Sequence, residues 1–249
     1  VIPILDTPDH RILCGSSLAE HDMDWILADA LITDPPYSER TASGYRSHGM
    51  IANGRTAGIS YGSITEQDAI LLARLWAPRV RRWAVIWADH VAWRWHEEAW
   101  RSEGWHTFAP VIWVRTGAPP RFRGDGPASQ VDHMMIARPR GLAPDGSRPG
   151  WYMAETVRAG HGYLGVTGQK DLNAMRAVIR DYSREGDLVV DPFAGSGSTL
   201  VAARMEGRRS LGIEIDRETA ELAARRVAAA RQEVIRFPAR PAGKQGELL

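Results

Sequence analysis

The stretch that most restricts how this 249-residue chain can fold begins at Asp187 and reads DLVVDPFAGSGSTLVAARMEGRRSLGIEID. An apolar strand runs into Asp191. Glycines at 195 and 197 let a ligand approach the backbone, Ser198 and Thr199 open a helix, and a second apolar strand ends at Glu214. Short apolar runs separated by helical segments recur along the chain, the pattern of a largely parallel sheet covered on both faces. Further strands are expected at RILCG, ALITDP, WAVIWA, FAPVIWV and HMMIAR, with helices over 66–77, 90–103, 169–183, 198–206 and 217–233. The last helix opens with Asp216 as N-cap and carries Ala220, Ala223, Ala224 and Val227 on one face. The expected class is α/β, with a doubly wound, mostly parallel sheet. The length fits a single domain with a small insertion, over residues 1–235, ahead of a flexible tail at 236–249.

The glycine loop suggests a nucleoside ligand. Gly195 precedes Glu214 by 19 residues, close to the spacing at which a carboxylate grips ribose hydroxyls in dinucleotide folds. Leu200 stands where the third glycine of a dinucleotide fingerprint would be, and no lysine follows the glycines. A loop headed by Asp191 therefore suits neither a pyrophosphate nor a triphosphate well. A second motif, Asp34-Pro35-Pro36-Tyr37, ends the strand ALITDP. A turn is the plain reading of such a sequence. Both motifs close apolar strands, and in open α/β sheets ligands sit beyond the carboxyl ends of strands, so the two are expected to face one pocket.

Together these residues resemble the DNA amino-methyltransferases that use S-adenosylmethionine. DPPY at 34–37 looks like their catalytic motif, and DPFAGSGST at 191–199 looks like their cofactor loop, followed by a ribose-binding acid at Glu214. Catalytic motif first and cofactor loop last is similar to the permuted beta class. The resemblance implies a Rossmann-like methyltransferase fold. It assigns cofactor contacts to Asp191, Phe193, Ala194, Gly195, Gly197, Ser198, Thr199 and Glu214. It adds Thr167 and Lys170, in TGQKDLNAMRAVI, for the methionine carboxylate. The family usually has Lys-Pro there, whereas Asp171 follows Lys170, and Ser16 replaces the acid of the family's N-terminal Gly-Asp.

The chemistry this implies needs those residue types. An exocyclic amine on adenine or cytosine is a poor nucleophile because its lone pair is delocalised into the ring. Acceptors placed on its two protons shift electron density back to nitrogen. Asp34 offers one and the Pro35 carbonyl the other, while Pro35 and Pro36 fix φ and bring no N–H of their own. Tyr37 would stack on a base flipped out of duplex DNA. The Gly-, Ser- and Arg-rich segment 38–63 is expected to be a mobile loop over the pocket. An Asp at the head of the motif leans toward adenine N6. Cytosine N4, RNA, and a catalytically silent nucleic-acid-binding relative are the alternatives.

With 31 Lys and Arg against 30 Asp and Glu the net charge is +1, so a nucleic-acid footprint must be local. The segment 115–150 is locally basic, and Arg121, Arg123, Arg140 and Arg148, with Arg46 in the loop, are the expected DNA contacts. Target recognition is expected within about 139–165, a region small enough to imply a short or relaxed site. The tryptophans between Trp76 and Trp113 are expected in the core for the most part. The single Cys14 forms no intrachain disulfide, the histidines lack ligand spacing for a metal, and no apolar run reaches membrane-span length. A cytoplasmic protein of a bacterial or phage-infected cell, monomer or homodimer, is the expectation.

Overall fold

The computed structural model describes residues 1–19, 23–41, 51–52, 55–56, 62–117, 127–143, 145–156 and 170–231. Its strands are β1 (Ile2–Asp6), β2 (His10–Cys14), β3 (Ala28–Thr33), the short pair β4 (Ile51–Ala52) and β5 (Arg55–Thr56), β6 (Val80–Ala88), β7 (Trp105–Thr107), β8 (Val111–Thr116), β9 (Val131–Pro139), β10 (Trp151–Glu155), β11 (Leu188–Asp191) and β12 (Arg209–Glu214). The helices are α1 (Glu66–Trp76), α2 (Ala92–Ser102), α3 (Leu172–Tyr182), α4 (Ser198–Met205) and α5 (Arg217–Ala229). One large sheet runs β1-β2-β12-β11-β3-β6-β9-β8-β10, with β7 also pairing to β9.

From β2 to β6 every neighbour is parallel, as the apolar runs predict. Beyond β3 the chain turns through α1 to β6 on one side, and beyond β11 it turns through α4 to β12 on the other. The point where the winding reverses therefore lies between β3 and β11, the place where open α/β sheets form a ligand crevice at the carboxyl ends of their strands. Both motifs singled out in the sequence leave the sheet at this point.

The far half of the sheet differs from expectation. β9 runs antiparallel to both β6 and β8, because a run such as HMMIAR that is buried on both faces carries no signal of its direction. The expected strand FAPVIWV begins only at Val111, and a separate short strand, β7, precedes it. Trp105–Thr107 and Val111–Thr116 pair with opposite ends of β9, and Pro110, which has no N–H for a ladder, lies between them. β10, inside the segment expected to read the target, is the edge strand beside β8. Its five residues alternate exposed and buried, too short a pattern to stand out.

Strand alternation feeds two cores. Leu31, Ile86, Met135, Val190 and Ile213 pack with Leu72, Trp76 and Trp100 on one face. Ile32, Val85, Met134 and Val189 pack with Met175, Val178 and Ile179 of α3 on the other. Trp76, Trp83, Trp87, Trp100, Trp105 and Trp113 are all buried, as expected. Helix starts follow the sequence. Thr65 and Asp68 form a capping box on α1, Asp171 caps α3, and Asp216 caps α5, whose Ala220, Ala223 and Val227 face inward. No helix among the described residues is long and apolar enough to cross a membrane.

Candidate active site

The two motifs are tied to each other at the winding reversal. Thr33, the last residue of β3, donates its hydroxyl to Asp191 Oδ1 across 2.6 Å, and the Phe193 N–H donates to the same oxygen at 3.0 Å. Burial pushes the Asp191 carboxyl up to about 7. Hydrogen bonds from Thr33, Thr199 and Phe193 work against that rise, and the nearby Asp34 adds to it.

The glycine loop is shaped by contacts that only small residues allow. Gly197 holds a left-handed φ of 82° immediately before α4, and a Cβ there would come within 2.9 Å of the Ala223 Cβ on α5. Gly195 also has a positive φ, 49°, but the space beside it is open. Close packing of α4 on the sheet comes from the strand side. A Cβ on Gly212 of β12 would lie 2.5 Å from Leu200 Cδ1, so the glycine missing at 200 is replaced by one at 212. Arg226 of α5 reaches under the loop to the Ser196 carbonyl and to Ser196 Oγ at 3.0 Å.

Glu214 sits at the end of β12 with both oxygens turned to the backbone. Oε2 accepts from Gly195 N–H at 2.8 Å and Oε1 from Asp216 N–H at 2.9 Å, while burial holds its pKa above the ordinary carboxylate range. Each oxygen keeps a further lone pair for a ligand hydroxyl. The next residue, Ile215, is 66% exposed, an apolar surface beside the loop that the sequence reading did not single out. On the neighbouring strand Cys14 is in register with Glu214, so Ser16 lies just past the same end of the sheet. Ser16 Oγ accepts from Leu18 N–H at 3.3 Å.

The DPPY turn is braced at its far side. Ser38 donates its N–H and its hydroxyl to Asp89 Oδ2 at 2.9 and 2.5 Å, and Ile64 N–H donates to the Tyr37 carbonyl at 3.1 Å. Within the turn, the Lys170 ammonium lies 3.0 Å from Asp34 Oδ2, donates to the Tyr37 hydroxyl at 3.2 Å, and lies 3.6 Å from Asp132 Oδ2. Arg115 Nε is 3.5 Å from the same Asp132 oxygen. Burial opposes charge on Lys170, but Asp34 and Asp132 outweigh it and hold its pKa above the usual value. Asp34 is pushed up by burial and by Asp132, against the pull of Lys170. Its other oxygen, Oδ1, is buried and has no hydrogen-bond partner among the described residues.

Asp34, Pro35, Pro36, Tyr37, Asp191, Phe193, Ala194, Gly195, Gly197, Ser198, Thr199, Glu214, Ser16 and Lys170 thus gather at one end of the sheet. Lys170, expected on a ligand carboxylate, is bonded to Asp34. Thr167, Arg46, Arg121, Arg123 and most of the loop at 38–63 lie outside the described residues. Two of the arginines expected on DNA lie away from this end of the sheet. Because β9 is reversed, its start carries Asp132 into the site, and Arg140 beyond its end lies at the opposite end of the sheet, roughly 25 Å away at about 3.3 Å per residue. Arg148 serves the fold instead. Its guanidinium lies 4.2 Å over the Trp83 ring, donates to the Asp181 carbonyl at 2.7 Å, and pairs with Asp145 at 2.8 Å. The missed residue of the site, Asp132, had one signal: a carboxylate at the start of a strand whose centre is apolar.

Comparison with known proteins adds to this geometry. Residues 151–225 match the N6/N4 methyltransferase family model, described as DNA methylase. Type II methyltransferase M.EcaI of Enterobacter cloacae is 37% identical over 100 residues, 39% of this chain and 22% of that enzyme. The M1.HpyAVI–SAM complex superposes with a TM-score of 0.66 at 19% identity, over 88% of this chain and 98% of that one. PvuII DNA methyltransferase, cytosine-N4-specific, gives a TM-score of 0.66 at 15% identity over 90% and 88%.

Proposed function

We infer that this chain, which belongs to the N6/N4 family of DNA methylases, transfers a methyl group from S-adenosylmethionine to the exocyclic amine of a base turned out of duplex DNA, with adenine N6 as the acceptor. The observation that carries this reading is Asp34 Oδ1, a buried carboxylate oxygen with no partner among the described residues, placed at the sheet's winding reversal beside a nucleoside-type loop. A buried acceptor without a partner calls for a donor, and an exocyclic amine brings two.

The residues present fit the cofactor. Glu214 would hold the ribose hydroxyls, the backbone at Gly195 has open space beside it, and Ile215 offers an apolar face to the adenine ring. Bound there, S-adenosylmethionine supplies a methyl on a sulfonium, which leaves as a neutral thioether when the carbon–sulfur bond breaks and the carbon–nitrogen bond forms. Asp34 Oδ1 and the Pro35 carbonyl would accept the two amine protons, and Tyr37 would stack on the base. As nitrogen gains the methyl its proton becomes acidic, and Asp34, its basicity raised by burial, takes the proton or hands it to water. Positioning and a fixed electrostatic field supply most of the acceleration. Sequence-independent contacts to phosphate are assigned to Arg46, Arg121 and Arg123.

The test is transfer of labelled methyl to unmethylated DNA, digested to nucleosides. Label is expected in N6-methyladenine and should fall about a hundred- to a thousandfold in Asp34→Ala, the range seen when a group that stabilises a transition state is removed. The fold likeness to a cytosine-N4-specific enzyme makes N4-methylcytosine the second reading, and the same digest separates the two. Absence of label from both nucleosides would sink the proposal.

A further inference from the structure

Two carboxylates converge on one buried ammonium. Lys170, 12% exposed in its side chain, lies 3.0 Å from Asp34 and 3.6 Å from Asp132, and Asp132 is itself only 6% exposed. The second carboxylate comes from β9, the one strand between β6 and β8 that runs against its neighbours. Among the described residues, the charged and polar groups against the ammonium are Asp34 and Tyr37 from the turn after β3 and Asp132 from β9, with Arg115 of β8 behind Asp132 and the Trp87 ring of β6 at 5.8 Å. The ammonium on Asp34 Oδ2 draws negative charge away from the carboxylate whose Oδ1 is to accept from the substrate amine, so it opposes the substrate electrostatically rather than by occupying the same oxygen. Removing the ammonium to water would be costly in so closed a place, but a second carboxylate lies within reach.

We propose that Asp132 is a positioning residue for the methyl transfer: it retains the Lys170 ammonium when the target amine takes Asp34, so that the catalytic carboxylate is released without leaving a buried charge unpaired. The inference rests on the role given to Asp34 above. Lys170 is thereby a shared clamp. It holds Asp34 in place in the empty site and leans on Asp132 in the filled one, where it stays close enough to meet the cofactor's carboxylate.

Asp132→Asn tests this in two ways. In the ligand-free protein, the loss in melting temperature caused by Asp132→Asn is expected to be larger in an Asp34→Asn background than in the wild type, because Lys170 then depends on Asp132 alone. An equal or smaller loss overturns the proposal. With DNA and S-adenosylmethionine saturating, Asp132→Asn is expected to lower kcat at least tenfold with little change in the KM for DNA. Asp132→Glu should retain more activity, and adding Lys170→Gln to Asp132→Asn should recover part of kcat by removing the charge that now holds Asp34. An unchanged kcat, or a loss that Lys170→Gln only deepens, overturns it. A wild-type protein that shows the melting coupling but methylates no DNA would refute the reaction assigned above and uphold the seating of Lys170 on Asp132.

Discussion

Asp191 shows how a single residue can join structure to pH. Its carboxyl is buried, bonded to Thr33, and raised to about 7 from an ordinary carboxylate value. A group whose acidity is suppressed by folding stabilises the fold fully below its unfolded pKa, near 4, and that contribution is lost as pH rises through the folded value. Between about pH 4 and 7 the wild type is therefore expected to lose stability relative to Asp191→Asn, and above 7 the difference should level off. Urea unfolding of both proteins across that range checks it, and a difference independent of pH would contradict the assignment. At this scale much of the site was legible: Asp34, Tyr37, Asp191 and Glu214 stand at strand ends where their spacing predicted. What was not legible came from strands distant in sequence. Asp132 meets Lys170 only because β9 turns back beside β6, and no local pattern around either residue announces the pairing.

Among the elements, the contact of α4 with β12 is the most closely fitted. Gly212 lies beneath Leu200, with 2.5 Å between its notional Cβ and the leucine Cδ1, and Ala194 lies 2.9 Å away on the same side. Gly212→Ala is expected to destabilise by about 1–3 kcal/mol, the range for overpacking a filled core. Cofactor binding should weaken as well, because Leu200 and Ala194 flank the loop. Calorimetric melting together with cofactor titration would measure both, and a Gly212→Ala protein as stable as wild type would show that the helix can move outward freely. Helices were the elements read best. Their caps at Asp171 and Asp216 and their apolar faces are local features, and the observed limits differ from the sequence reading by only a few residues. Strands at the far side of the sheet were read least well, since β7 and β8 owe their limits to Pro110 and to pairing with β9, and β10 to pairing with β8, rather than to their own composition.

For the whole molecule, the ends of the sheet have different tasks. The chemistry gathers at the carboxyl ends of β3, β11 and β12, and Arg140 and Arg148 lie at the other end, the latter held by Trp83, Asp145 and Asp181. DNA affinity is expected to fall steeply with added salt, as phosphate contacts require, whereas Arg140→Ala should leave both the affinity and its salt slope unchanged. Titrating both proteins with duplex DNA at several salt concentrations would decide this, and a shallower slope in Arg140→Ala would bring the base of the sheet into the DNA footprint. The reversal of β9 also bears on how the protein could be rebuilt. It delivers the chain to Gly141, exposed and with a left-handed φ of 83°, on the side remote from the pocket. A passenger domain spliced in there would hang from the underside of the molecule, leaving the mouth of the pocket clear for a passing duplex.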